Sequence, residues 1–232
     1  WIAGGSSQAG VPAPVVPRRR NWERLALAAA ILAAGALAWM LGARRTASPS
    51  AAPIRLSLTA PEQTTFAQGL TLSPDGRALA FVGARDGKPL LWVRPLSGLE
   101  SRPLAGTEGA SRPFWSPDSQ SIAFFADAKL KAVELGGGTV RNLCDVPQIE
   151  PLAGGSWSPT GIIVFSSNTH SPVYRVAASG GTSTPVTKLD AARKESTHMF
   201  PEFLPDGRHF VFCLFASEGT GIAVSSLDSP QK

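Results

Sequence analysis

Cysteine and recognisable catalytic signatures are both scarce in this chain. Its 232 residues contain two cysteines, Cys144 and Cys213. Two cysteines cannot hold together a disulfide-rich domain, and their spacing is not that of a metal site. We interpret both as small core residues and expect no disulfide between them. The scarcity excludes the small disulfide scaffolds and the zinc modules.

Charge is also low, at 17% of residues, and it is unevenly placed. Arg18, Arg19, Arg20 and Arg24 against Glu23 give the first 24 residues +3 of the total of +5. The other 208 residues therefore carry only +2, so the pI of 9.7 does not predict a nucleic-acid partner.

Enzyme motifs are absent as well. The chain has no phosphate-binding Gly-rich loop, HRD or DFG motif, no Gly-x-Ser-x-Gly elbow, no His-Glu-x-x-His and no Cys-x-x-Cys. The glycine run 136–138 joins two strand-like segments and predicts a hairpin turn. We therefore expect no catalytic, cofactor-binding or metal-binding residue in this chain. Whether the parent protein is an enzyme stays open.

What the chain does contain is a repeat. Four Pro-containing turns occur: Leu72-Ser-Pro-Asp-Gly76, Trp115-Ser-Pro-Asp-Ser119, Trp157-Ser-Pro-Thr-Gly161 and Phe203-Leu-Pro-Asp-Gly207. Their prolines, Pro74, Pro117, Pro159 and Pro205, are 43, 42 and 46 residues apart. This period is typical of a four-stranded β-propeller blade. The sequence predicts an all-β partial propeller over 54–232, with about four blades of six and an incomplete C-terminal blade.

Strand-like apolar segments follow each turn. The first set is 78–82, 122–125, 162–165 and 210–213, the second is 90–93, 130–133, 173–176 and 222–224, and outer strands are expected near 102–104, 140–144 and 185–188. The turn acids Asp75, Asp118 and Asp206 are expected to accept backbone hydrogen bonds rather than bind a cation. Trp115 and Trp157 are expected to pack between blades.

An uncharged apolar run covers residues 25–43. As a helix it would be about 28 Å long, enough to cross a bilayer, so we predict a single transmembrane helix. A buried helix or a cleaved signal peptide are the alternatives. Residues 1–24 are interpreted as a Pro/Gly/Ser-rich basic juxtamembrane linker and 44–53 as a second linker. The excess of arginine before the run favours an inner-membrane protein with an extracytoplasmic propeller.

The repeated aromatic-Ser-Pro-Asp-Gly turn and the following Leu-Trp-Val-x-x-Leu-x-Gly segment resemble the WD-like repeats of TolB-type β-propellers. Together with the linker and the Arg-flanked apolar run, they resemble the carboxy-terminal part of bacterial receptor-like serine/threonine protein kinases. That resemblance implies a sensor or protein-interaction propeller, with a kinase domain before residue 1 that would hold ATP and Mg²⁺. The alternatives are a non-enzymatic TolB-like envelope scaffold and the propeller of a prolyl-oligopeptidase-like serine hydrolase.

The remaining expectations concern partners and closure. The loop 189–199 makes the last repeat spacing the longest, and its Arg193, Lys194, Glu195 and His198 are the candidate residues for binding a protein or small ligand at a propeller face. His170 and His198 are expected to be solvated loop residues. If the propeller ring is open in this chain, apolar positions such as Phe210 and Phe212, or their counterparts in the first blade, should be exposed. The strand-like segment 54–58 should pair with the final blade.

Overall fold

The structure is a computed structural model that describes residues 22–46, 57–146, 148–149 and 154–228. The chain divides into two compact units, Trp1–Ser57 and Leu58–Lys232. The described part of the first is one helix and that of the second is all β-sheet.

Helix α1 runs from Trp22 to Thr46. Its Ala and Leu residues are strong helix formers, and it extends the predicted segment 25–43 by three residues at each end. Its described large apolar side chains are exposed: Trp22, Leu25, Leu27, Ile31, Leu32, Leu37 and Trp39. Over the described residues, no helix combines the length and apolar character that crossing a membrane requires. The predicted helix is therefore present, whereas the predicted membrane span is not found.

In the described part of the chain, fifteen strands form four antiparallel sheets, and in each sheet the strands are hydrogen-bonded in chain order. Blade 1 consists of β1 (Thr64–Leu72), β2 (Ala78–Arg85), β3 (Lys88–Pro95) and β4 (Arg102–Pro103); blade 2 of β5 (Ser111–Trp115), β6 (Ser121–Ala126), β7 (Lys129–Glu134) and β8 (Arg141–Asp145). Blade 3 consists of β9 (Gly154–Trp157), β10 (Ile162–Ser166), β11 (Tyr174–Ala177) and β12 (Thr184–Pro185); blade 4 of β13 (Glu195–Phe203), β14 (His209–Ala216) and β15 (Gly219–Ser226). This confirms the all-β prediction and the four repeats.

The blades stand side by side through their first strands. Strand β1 contacts β5, β5 contacts β9, and β9 contacts β13. The first strand of each blade is therefore the inner strand, as expected for blades arranged around an axis. Blades 1 and 4 form the two ends of this series.

Each blade's Pro turn links its inner strand to the next strand. In blade 1 the Ser73 hydroxyl donates to Asp75 Oδ1 (2.6 Å), and the same carboxylate accepts from the Arg77 amide (3.0 Å). Asp118 and Asp206 likewise accept amide hydrogens, from Gln120 and from Arg208 respectively. This confirms the structural role predicted for the three acids.

Neighbouring turns also bond to each other. The Asp75 amide donates to Ser119 Oγ of blade 2 (3.1 Å), and the Ser158 hydroxyl of blade 3 donates to the Gly207 carbonyl of blade 4 (2.5 Å). Ser119, Thr160 and Leu204 stand where the repeat pattern has Gly, Asp and Ser. Their turns nevertheless close with the same backbone hydrogen bond as the first turn.

Among the described residues, three apolar clusters fill the spaces between successive blades. Phe124 and Leu91 are among the residues that pack blade 2 on blade 1, Phe125 and Phe165 join blades 2 and 3, and Val164 and Phe212 join blades 3 and 4. Side chains alternate between the two faces of a strand, so a sheet that lies between two others contributes side chains to the clusters on both of its faces.

The exposure expected of Phe210 and Phe212 is wrong. Both are buried, at 0% and 3% exposure, because they lie on the face of β14 that packs against blade 3. The exposed large apolar residues in the strands of the terminal blades are instead Phe200, Ile222 and Val224 in blade 4, and Phe66, Leu70 and Leu72 in blade 1.

The tryptophans and cysteines lie where the repeat predicts. Trp115 packs in the cluster between blades 1 and 2, and its indole N–H donates to the Thr71 carbonyl of blade 1 (3.2 Å). Trp157 packs against the cluster between blades 2 and 3. Cys144 in β8 and Cys213 in β14 are both free thiols. Residues 54–56 of the predicted strand 54–58 lie outside the described part of the chain.

Candidate functional site

The predicted partner-binding loop connects β12 of blade 3 to β13 of blade 4. It contains a turn in which the Glu195 amide donates to the Asp190 carbonyl (3.0 Å) and the Lys194 amide to the Ala191 carbonyl (3.1 Å). Lys194 has a left-handed φ of 52°. A cavity of about 550 Å³ lies against this loop and is lined by residues 188–193 and Glu195.

The structure separates the four candidate residues into two pairs. Arg193 and Lys194 are exposed on the loop, as expected. Glu195 begins β13 and its side chain is only 4% exposed, and His198 lies within β13 and is 2% exposed. The prediction of a solvated loop histidine is therefore wrong for His198, whereas His170 is exposed between β10 and β11.

Glu195 and His198 form a buried hydrogen-bond network with Thr187. His198 Nε2 lies 3.1 Å from Glu195 Oε2, and His198 Nδ1 lies 2.8 Å from Thr187 Oγ1. The same carboxylate oxygen accepts the Asp190 amide (2.8 Å), and Thr187 Oγ1 accepts the Val173 amide (2.9 Å). The network therefore connects the outer part of blade 3 to the inner strand of blade 4.

The partners determine how His198 is protonated. An ionised Glu195 can only accept a hydrogen bond, so Nε2 of His198 carries the proton. Nδ1 of the neutral ring is then the acceptor for the Thr187 hydroxyl. Burial lowers the pKa of His198, although the neighbouring Glu195 carboxylate acts in the opposite direction. His198 is therefore neutral near pH 7.

The order hydroxyl, imidazole, carboxylate is that of a hydrolase triad, but the surroundings argue against catalysis here. Thr187 is only 6% exposed, and its oxygen already accepts the Val173 amide. A nucleophile needs access to substrate, which this hydroxyl lacks. Thr107 plays a similar structural part in blade 1, where its oxygen accepts the Leu91 amide (3.1 Å). The network is therefore a structural connection beneath the loop.

Exposed charged side chains lie at the cavity. Lys188, Asp190 and Arg193 are exposed, and Arg193 Nη1 lies 3.8 Å from Glu195 Oε1. Such a surface can attract a polar or ionic partner. In the described ranges no group of three or more His, Cys, Asp or Glu side chains is close enough to hold a metal ion.

Two known proteins are similar to this chain in sequence. No family model matches the chain. It is 32% identical over 147 residues to the "Uncharacterized peptidase YuxL" of Bacillus subtilis (strain 168), a match that covers 60% of this chain and 20% of that protein. It is 29% identical over 135 residues to the "Dipeptidyl aminopeptidase BIII" of Pseudoxanthomonas mexicana, covering 52% of this chain and 19% of the relative. The chain thus spans about a fifth of each relative.

Among solved structures, TolB from Acinetobacter baumannii superposes with a TM-score of 0.58 at 18% identity, over 70% of this chain and 41% of that one. An identity this low supports the fold only. With the peptidase relatives, it supports the conclusion that the all-β unit of this chain is a TolB-like β-propeller domain.

Proposed function

We propose that this propeller is the non-catalytic module of a serine peptidase of the prolyl-oligopeptidase type. The observation that carries the proposal is the sequence similarity to two proteins named as peptidases, which extends over more than half of this chain. The propeller's part is to provide a surface where peptides are bound beside a catalytic domain located outside these residues.

The side-chain chemistry of the propeller agrees with a binding role. The one hydroxyl, imidazole and carboxylate arrangement described above is closed to substrate, whereas charged groups at the loop cavity are accessible. Arg193, Lys194, Glu195 and His198 therefore divide into two surface residues for contacting a partner and two buried residues that support them.

A non-enzymatic TolB-like scaffold is the second candidate, favoured by the fold similarity to TolB. The kinase-sensor function stays a prediction from the sequence resemblance alone. It gains no support from the relatives, which are peptidases.

One experiment separates the three functions. The protein encoded by the complete reading frame is purified and treated with a fluorophosphonate, which labels activated serine nucleophiles, or with γ-labelled ATP. Covalent fluorophosphonate labelling and cleavage of dipeptidyl chromogenic substrates are expected. ATP-dependent labelling of the protein without fluorophosphonate reaction would instead favour the kinase. Failure of both reactions would favour the scaffold.

Membrane attachment through residues 25–43, an inner-membrane location and an extracytoplasmic propeller also stay predictions. They rest on the apolar run and on the arginines that precede it. A reporter that is active only outside the cytoplasm, fused after Ala52, should be active. Activity of a cytoplasm-only reporter at the same position would contradict the predicted orientation.

A further inference from the structure

The inner strands share a repeated backbone feature at one position. Gly69, Arg112, Gly154 and Phe200 each lie five residues before the proline of their blade's turn. The pairing of β1, β5 and β13 with the following strand is irregular around this position, as in a β-bulge. Gly69, Arg112 and Phe200 have left-handed φ angles of 68°, 49° and 54°.

This conformation suits glycine and is strained for larger residues. Blade 1 uses Gly69, and a Cβ there would lie 2.7 Å from Pro113 Cδ, so space as well as conformation requires glycine. Blade 2 instead carries an arginine at this position, although the backbone favours glycine. Strain of this kind persists where the surrounding structure holds it, and it concentrates at functional sites.

The side chain of Arg112 is unusual in a second respect. Its Nε is shielded from solvent and has no hydrogen-bond partner among the described residues. No hydrogen bond or ion pair is found for the rest of its guanidinium within the described part of the chain. Other arginines do find partners: Arg102 donates to the Leu135 carbonyl, and Arg208 bonds Asp228. Buried donors in proteins nearly always have an acceptor, so this one needs an explanation.

From these two independent observations we propose that Arg112 is the anchor of an oxyanion-binding site on the inner strands of the propeller. The planar guanidinium presents paired N–H donors that match a carboxylate or phosphate group. Its strand, β5, lies between the inner strands β1 and β9. The proposal is independent of whether the parent protein is a peptidase.

Two variants separate binding from folding. Arg112→Gly removes the guanidinium and gives the bulge the residue that its backbone favours. Phe200→Gly does the same to the backbone of blade 4 but leaves Arg112 in place. We expect both variants to unfold at a temperature equal to or above that of the unchanged chain, and only Arg112→Gly to lose anion binding.

The readout is the arginine Nε–H signal in ¹H–¹⁵N NMR spectra of the 232-residue chain, titrated with sodium phosphate and, separately, sodium acetate. The signal that disappears in Arg112→Lys identifies Arg112. A saturable shift of that signal with either anion, kept in Phe200→Gly, is the expected result. A shift that only follows ionic strength, as sodium chloride would also produce, would overturn the proposal. So would a shift of equal size at the exposed Arg141.

Discussion

At the level of single residues, Ser119 combines a strained backbone conformation with a hydrogen bond between two blades. It occupies the position where the other three turns have glycine, with a left-handed φ of 61°. Its hydroxyl oxygen accepts the amide of Asp75 from the neighbouring blade (3.1 Å). The hydrogen bond between the blades offsets the strained backbone.

Two substitutions test this balance. Ser119→Ala keeps the strain and removes the acceptor, so it should destabilise the propeller by about 1 kcal/mol. Ser119→Gly removes both and should be close to neutral, because relief of strain is worth roughly 0.5–1 kcal/mol. Urea unfolding of both variants measures the difference. Equal destabilisation by the two would show that the left-handed conformation costs nothing here.

Because His198 is buried, we expect the stability of the propeller to depend on pH. Its folded pKa lies below the ordinary value of 6.5 because the ring is buried. Above about pH 7.5 both folded and unfolded chains hold it neutral, so its contribution is complete. As the pH falls below 6.5, the unfolded chain binds a proton that the folded chain does not, and stability is lost by up to about 1.4 kcal/mol per pH unit.

Urea unfolding between pH 5 and 8 measures this slope. His198→Gln should reduce the loss of stability below pH 6.5, whatever its effect at pH 8. His170→Gln is the matched control, because His170 is exposed, and should keep the slope of the unchanged chain. An unchanged slope in His198→Gln would contradict the neutral, buried state of this histidine.

The sequence predicted the turn residues well and the strained or buried polar residues poorly, for a physical reason. A Ser-Pro-Asp-Gly turn is built from local hydrogen bonds and φ preferences, which neighbouring residues determine. The burial of His198 depends on Thr187, in the loop after β12, and on Phe212 of β14, and neither is a neighbour of His198 in the sequence. The conformation of Arg112 depends on how its strand pairs, and no local signal identifies it.

At the level of elements, each blade is stabilised through its neighbours. Phe165 of β10 is 2% exposed, and its ring centroid lies 6.2 Å from that of Phe125 in blade 2 and 5.8 Å from that of Tyr174 in β11. It therefore contributes both to its own sheet and to the cluster between blades 2 and 3. One blade of such a series should not unfold independently of its neighbours.

Phe165→Ala should accordingly destabilise the propeller by about 3–5 kcal/mol, the usual cost of a large cavity in a core. Leu99→Ala is the control, since Leu99 is 87% exposed, and should change stability by less than about 0.5 kcal/mol. Unfolding followed by intrinsic tryptophan fluorescence measures both. A small effect of Phe165→Ala would mean that the interface between blades 2 and 3 is not a shared core.

The apolar pattern predicted the strands, but it did not predict the direction in which their side chains point. A run such as Phe210-Val-Phe-Cys213 has apolar residues on both faces, so the pattern alone cannot say which face meets a neighbour. The structure directs Phe210 and Phe212 toward blade 3. The opposite face of blade 4 then carries Ile222 and Val224, which the repeat had not singled out.

At the level of the whole molecule, three clusters join four blades, so blades 1 and 4 each have one face without a blade against it in the described structure. On blade 4 this face carries Ile222 at 80% exposure and Val224 at 56%. Within the described residues blade 4 has three strands where the others have four, so β15 is the edge strand of its sheet. Exposed apolar residues on an open edge promote association.

We therefore expect residues 46–232 alone to self-associate. The double substitution Ile222→Thr and Val224→Thr should reduce this, because threonine keeps the strand propensity while lowering the apolar area of the face. Light scattering at increasing protein concentration measures the effect, and Leu99→Thr, on an exposed residue outside this face, is the control. With about two more repeats, the number needed for the expected six-bladed ring, the protein should be monomeric without these changes. A monomer of residues 46–232 that unfolds cooperatively would show that four blades are already sufficient.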